Sequence, residues 1–173
     1  ALLDRGGLML GICNGFQALV KLGLVPYGKI MDSDCDMPTL TYNVIGRHQS
    51  RIVRTRIASN MSPWLRGVNV GDVYNVPISH GEGRFFASEE TVRQLAANGQ
   101  IATQYVDLNG EPTMDAAFNP NGSLFAIEGI TSPDGRVFGK MGHSERIGSG
   151  LYKNVPGNYD IRMFEAAVKY FKG

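Results

Sequence analysis

Covalent chemistry in this 173-residue sequence would have to come from two cysteines, three histidines and a scatter of carboxylates. Cys13 stands in "LMLGICNGFQALVKLG", residues 8–23, with Gly11 two positions before it and Gly15 two after. Leu8, Met9, Leu10 and Ile12 read as a short buried strand. From Asn14 onward Phe16, Leu19, Val20 and Leu22 recur near the helical period, and Gly23 closes the run. Cys13 thus falls at the corner of strand, tight turn and helix. That is the nucleophile-elbow arrangement, in which glycines remove side chains that would collide across a sharp turn. The other reading of such a cysteine is a small hydrophobe buried at a strand end. A thiol nucleophile also needs a base from elsewhere in the chain.

His143, in "KMGHSER", is one candidate base, with Glu145 two residues on. In an extended segment residues i and i+2 point to the same side, so the carboxylate could orient the imidazole while the imidazole faces a nucleophile. Pairing of Glu145 with Arg146 at the surface is the alternative. His80, in "PISHGEGRF", is a second candidate, in a glycine-rich loop with backbone groups free to contact a ligand. His48 lies among Arg47, Arg51, Arg54 and Arg56, a basic stripe that on a strand reads as a solvated face. Asp32, Asp34 and Asp36 imitate the start of a calcium loop. Met37 and Asn43 stand where that loop needs glycine and glutamate, so no metal site is expected. The sequence has no Walker motif and no dinucleotide fingerprint, so ATP chemistry is expected outside this chain.

The elements that must position these groups mix helix and strand, which makes the fold class α/β. Residues 31–43 read as a polar, proline-punctuated loop. Residues 50–57 ("SRIVRTRI") and 72–78 ("DVYNVPI") read as strands. Residues 88–99 form a helix capped by Ser88 and closed by Gly99. "QIATQYVD" is a strand, and "SLFAIEGIT" and "RVFGKM" are the arms of a hairpin turned by "SPDG". The last element, "YDIRMFEAAVKYF", places Ile161, Phe164, Val168 and Phe171 on the inner face of a closing helix.

The length suits one domain. A net charge of +1 with 19% charged residues predicts neither a nucleic-acid partner nor a membrane surface. No apolar run approaches the roughly 18 residues of a spanning helix. Two cysteines separated in sequence make no disulfide framework, so a reducing cytoplasm is the default location.

With these pieces together, the sequence resembles class I (triad) glutamine amidotransferase domains, which carry G-x-C-x-G-x-Q at the elbow and H-x-E near the end. More closely, it resembles the glutaminase domains of phosphoribosylformylglycinamidine synthases. The resemblance rests on "LGICNGFQALVKLGL", "PTLTYNVIGRHQSR", "PISHGEGRF" and "NPNGSLFAIEGITSPDGRVFGKMGHSER", in that order. It implies a flavodoxin-like α/β fold, with Cys13 as nucleophile, His143 as base and Glu145 as orienting acid. Gln17, Ser79, His80 and Gly81 would lie near the bound glutamine. Many members have prolines on both sides of the histidine; Gly142 and Ser144 here imply a more flexible loop.

The resemblance further implies earlier strands and a glycine-rich loop that helps form the oxyanion hole, whereas this chain enters the elbow strand almost at once. Residues 1–173 are therefore expected to be the C-terminal part of the domain, from a longer chain, with little or no glutaminase activity alone. The implied reaction is glutamine hydrolysis, with ammonia passing to a synthetase domain or subunit. That partner uses ATP and Mg²⁺ to convert formylglycinamide ribonucleotide to its amidine; no cofactor is implied in this chain. A cysteine hydrolase or peptidase of related fold, and a catalytically silent interaction domain, are the alternatives.

Overall fold

The computed structural model describes residues 1–32 and 34–173. The apolar run before Cys13 forms β1 (Met9–Ile12), and the periodic run after it forms α1 (Asn14–Lys21), followed by a single turn, α2 (Leu24–Tyr27). Phe16, Leu19 and Val20 are the buried face of α1, whereas Leu22, expected on that face, is exposed. Leu22 keeps helical backbone (φ −83°, ψ −7°) but stands about 120° round the helix from Phe16, off the buried face, and Gly23 takes the left-handed conformation (φ 76°) that ends the helix.

The remaining elements are β2 (Thr39–Tyr42), β3 (Gln49–Ile57), β4 (Val73–His80), β5 (Glu82–Phe86), α3 (Glu89–Ala97), β6 (Ile101–Tyr105), β7 (Ile127–Thr131), β8 (Val137–Lys140) and α4 (Met163–Lys172). The main sheet has the order β1-β8-β7-β6-β3-β4, and β2 pairs with β5 in a separate two-stranded sheet. β1 and β8 are parallel; the other pairs in the main sheet are antiparallel. The class is α/β, as the mixture of patterns predicts.

Alternation along the strands feeds a core on each face of the sheet. Val137 packs with Phe16, Leu19 and Phe85 on one side, while Phe138 packs with Trp64, Leu65 and Met163 on the other. The expected hairpin is present, with the Gly135 N–H closing its turn onto Ser132 O at 2.9 Å. The Ser88 side chain caps α3 by accepting from Thr91 N.

Three expectations need correction. β2 lies inside the segment read as loop: in Thr39–Tyr42 only Leu40 is buried, too little apolar signal to mark a strand by itself. The glycine-rich stretch read as a loop is the end of β4 and most of β5. The closing helix buries Met163, Ala166 and Ala167, leaving Phe164, Val168 and Phe171 exposed. Its small residues let it approach the 3₁₀ turn Pro63–Leu65, and helical periodicity alone cannot say which stripe makes that approach.

The elbow glycines divide in role. A Cβ on Gly11 would lie 2.5 Å from Leu19 Cδ1 and 2.6 Å from the Gly15 carbonyl, so glycine is what lets β1 and α1 meet so closely. A Cβ on Gly15 would meet nothing within 4 Å, against the expectation that both glycines avoid collisions. Gly11→Ala should therefore lose about 1–3 kcal/mol of stability through overpacking against backbone. Gly15→Ala should stay within about 1 kcal/mol of the parent, since helix propensity favours alanine. Urea denaturation of the two variants checks both expectations.

Candidate active site

Parallel neighbours deliver their C-terminal ends to the same edge of a sheet, and ligand sites gather there. In the β1–β8 register Ile12 lies opposite Lys140, and Cys13 N donates to Lys140 O at 2.9 Å. The residues that follow each strand, Cys13 and the 141–145 loop, therefore emerge side by side. β4 has the same direction but stands at the far edge of the strand order. The sheet curls enough to bring it back: His143 N donates to Pro77 O at 2.9 Å, and the Cys13 thiol lies 3.8 Å from Ser79 O. Ile12, Cys13, Asn14, His48, Ser79, His80, Gly81, Glu82, His143 and Arg146 line one open cavity of about 470 Å³.

Cys13 has φ 55° and ψ −110°, a conformation L-residues rarely adopt. Strain of this kind at a strand-to-helix corner is the mark of a nucleophile elbow. Partial burial raises the thiol pKa above its ordinary value, outweighing the Asn14 backbone N–H and the Arg146 charge that lower it; Glu145 adds to the rise. A neighbouring imidazole and a helix terminus ordinarily depress such a pKa, but here burial prevails. At neutral pH the group is a thiol, and it needs a base at the moment of attack. Cys35 is exposed, and its pKa is also raised, by the hydrogen bond to Asp34 and the charges of Asp36 and Asp34.

His143 is largely buried, and its Nδ1 lies 2.6 Å from Glu145 Oε1. The carboxylate can only accept, so Nδ1 carries a proton, and in the neutral ring Nε2 is left with the lone pair of a base. Arg146 Nε stands 3.7 Å from the same Glu145 oxygen, so the surface pairing weighed above exists beside the imidazole contact.

His80 has a different state. Asn43 Nδ2 donates to Arg47 O at 3.0 Å and to His80 O at 2.8 Å, which leaves Asn43 Oδ1 as the acceptor for His80 Nδ1 at 3.1 Å. His80 is 4% exposed and its Nε2 is buried with no hydrogen-bond partner. Burial first, then the neighbouring His48, pushes its pKa from 6.5 down to about 4, against the pull of Glu128. The imidazole is neutral at working pH. Its folded pKa is depressed, so the folded state is unaffected above pH 6.5 and loses stability as pH falls from there toward 4. The loss from this group should reach about 3 kcal/mol. Comparing urea denaturation at pH 7 and pH 4 in the parent and in His80→Gln checks it: the variant should lose less on acidification.

Of the remaining expected residues, Ser79 and Gly81 line the cavity. Gln17 does not; its Nε2 donates to Glu82 O at 2.5 Å and ties α1 to the start of β5. His48, read as part of a solvated stripe, lines the cavity with Nε2 3.0 Å from Ser79 Oγ. Arg51 and Arg54 of that stripe donate to the carbonyls of Ala117, Asp107 and Leu108. Sequence reasoning also missed the scaffold under the site. Asn121 Nδ2 donates to Gly83 O and to Tyr105 Oη, and Ser123 Oγ accepts from Phe85 N, so "NPNGS" anchors the strand after His80. Polar residues packed so densely between apolar strands were the available signal.

The geometry defines an α/β protein with a cysteine at a nucleophile elbow and a histidine–carboxylate pair on the same cavity. The chain belongs to the CobB/CobQ-like glutamine amidotransferase domain family, whose sequence pattern matches residues 1–171. Similar proteins include subunits PurQ of phosphoribosylformylglycinamidine synthase. That of Synechocystis sp. is 40% identical over 158 residues, covering 89% of this chain and 63% of the relative. That of Chlorobaculum tepidum is 36% identical over 169 residues, covering 98% and 65%. A chain in the structure of PurLQS from Thermotoga maritima superposes with a TM-score of 0.71 at 26% identity, over 98% of this chain and 64% of that one. The chain thus spans a little under two thirds of the relatives it matches.

Proposed function

We propose that this chain carries the glutaminase chemistry of a phosphoribosylformylglycinamidine synthase. The carrying observation is the strained Cys13 on one cavity with a His143 whose Nδ1–H is held by Glu145. The family membership and the similarity to PurQ subunits support the same reading. His143 Nε2 takes the thiol proton as sulfur attacks the side-chain amide carbon of glutamine. The protonated imidazole passes that proton to the departing nitrogen, ammonia leaves, and a glutamyl thioester remains. Water, deprotonated by His143, then releases glutamate, and the proton returns to sulfur. Glu145 holds the productive tautomer and offsets the charge of the transient imidazolium. Ser79, His80 and Gly81 form the wall facing the substrate, and Gln17 braces that wall from α1.

Ammonia is consumed by a synthetase domain or subunit that uses ATP and Mg²⁺ to form the amidine of formylglycinamide ribonucleotide. No helix of the described residues is long and apolar enough to cross a membrane. A reducing cytoplasm, in which Cys13 and Cys35 both stay free thiols, suits the chemistry.

The test is peptide mapping after brief treatment with a glutamine-analogue alkylator. Both thiol pKa values are raised, so selectivity must come from substrate recognition and the adjacent base, not from a preformed thiolate. Label is expected on Cys13 and suppressed by excess glutamine, with Cys35 unlabelled. Equal labelling of the two, or protection by peptides in place of glutamine, contradicts the reading.

A further inference from the structure

Two charged residues interrupt the apolar hairpin that leads to His143. Glu128 on β7 is 0% exposed and Lys140 on β8 is 1% exposed, with Nζ 3.1 Å from Oε1. Every polar atom of the pair is engaged. Glu128 Oε1 also accepts from Gly142 N at 2.5 Å, and Oε2 accepts from Thr103 Oγ1 at 2.5 Å on β6. Lys140 Nζ donates to Gly142 O at 2.9 Å and to Ser144 Oγ at 3.0 Å. A Cβ on Gly142 would lie 2.6 Å from Val76 Cγ2 and 2.8 Å from Glu128 Oε1, so glycine is what lets the loop pass between them.

A buried ion pair is a poor source of stability, because apolar residues of similar volume commonly serve the core as well. What it supplies is direction. Both backbone polar groups of Gly142 are held, one by each charge, and the side chain of Ser144 is held by the cation. His143, between them, is fixed on its other side through its N–H to Pro77 O. We infer that Glu128 and Lys140 are positioning residues for the reaction: the pair clamps residues 142 and 144 so that the His143 imidazole meets Glu145 and Cys13 in one geometry. This inference rests on the glutaminase reading for its kinetic consequence, but not for its structural one.

Lys140→Met, in the intact enzyme, keeps the volume and removes all three donors. The kcat for glutamine hydrolysis should fall about 30–100-fold, the cost of a small misplacement of a reacting group, with the KM for glutamine within about threefold. Synthesis from ammonium should be unchanged. The structural readout is nuclear magnetic resonance of ¹⁵N-histidine-labelled protein. The His143 Nδ1–H resonance, held by Glu145 in the parent, should be lost to exchange in Lys140→Met. The His80 Nδ1–H resonance, held by Asn43, should persist and report that the chain is folded. The neutral double variant Glu128→Gln/Lys140→Met keeps an acceptor for Gly142 N and should recover part of the rate. If Lys140→Met loses both resonances and so fails to fold, Ser144→Ala decides, with an expected 3–10-fold loss in kcat. A His143 resonance retained in folded Lys140→Met, or an unchanged kcat in Ser144→Ala, overturns the inference. Absence of glutamine hydrolysis in the parent would sink the functional reading alone, since the resonance comparison still decides the clamp.

Discussion

Replacing Cys13 with serine should lower glutamine-dependent synthesis by about 10⁴-fold or more while leaving synthesis from added ammonium intact. The magnitude follows from removing the atom that forms the covalent intermediate, a change whose cost the rest of a catalytic constellation does not recover. Serine keeps the volume and the backbone demands of the elbow, so the fold should stand. Its hydroxyl is a far weaker nucleophile in a partly buried position where even the thiol resists ionisation. Ammonium-dependent synthesis should survive because, on the function proposed above, the ATP site belongs to the synthetase. The assay pairs both nitrogen donors on the intact enzyme, with circular dichroism as the control. Loss of both activities in a folded Cys13→Ser protein would refute the division of labour.

His143→Ala should cost about 10³-fold in glutamine turnover, the usual worth of a positioned general base. The raised thiol pKa makes the base indispensable at neutral pH, since little thiolate exists without it. Glu145→Gln should be milder, about 10–100-fold, because the amide oxygen can still accept from His143 Nδ1. His80→Ala should also fall short of the His143 loss: its Nδ1–H is committed to Asn43 and its Nε2 is buried, so it cannot exchange protons with substrate as His143 can. Steady-state rates with glutamine for the three variants check this order. A larger loss in His80→Ala than in His143→Ala would move the base to His80.

Much of this was legible because local chemistry leaves local marks. Cys13 between two glycines, at the change from strand-like to helical spacing, forecast the elbow; the spacing of His143 and Glu145 forecast their contact, although it is made in a turn, with Arg146 N donating to His143 O at 3.0 Å, and not in the extended segment expected. Both are short-range facts, fixed by backbone geometry within a few residues. Residues that act through tertiary contacts left no such mark. Glu128 and Lys140 are 12 positions apart, and nothing local in either apolar arm marks them as partners; pairing β7 with β8 brings them together. Gly142 and Ser144 read as sources of flexibility, yet in the fold they are the points at which the loop is held.

The sequence by itself determined which groups could react and which elements carry them, since helical and strand periods and turn residues act over a few positions. Only the tertiary structure decided which of those groups meet. Cys13 and His143 come together because β1 and β8 are parallel neighbours, and the Ser79–His80 wall joins them because the sheet curls from β8 round to β4. The thiol's ionisation was decided there as well: the Asn14 N–H at the helix terminus and the Arg146 charge favour the thiolate, but burial, a property of the whole packed chain, opposes it and prevails.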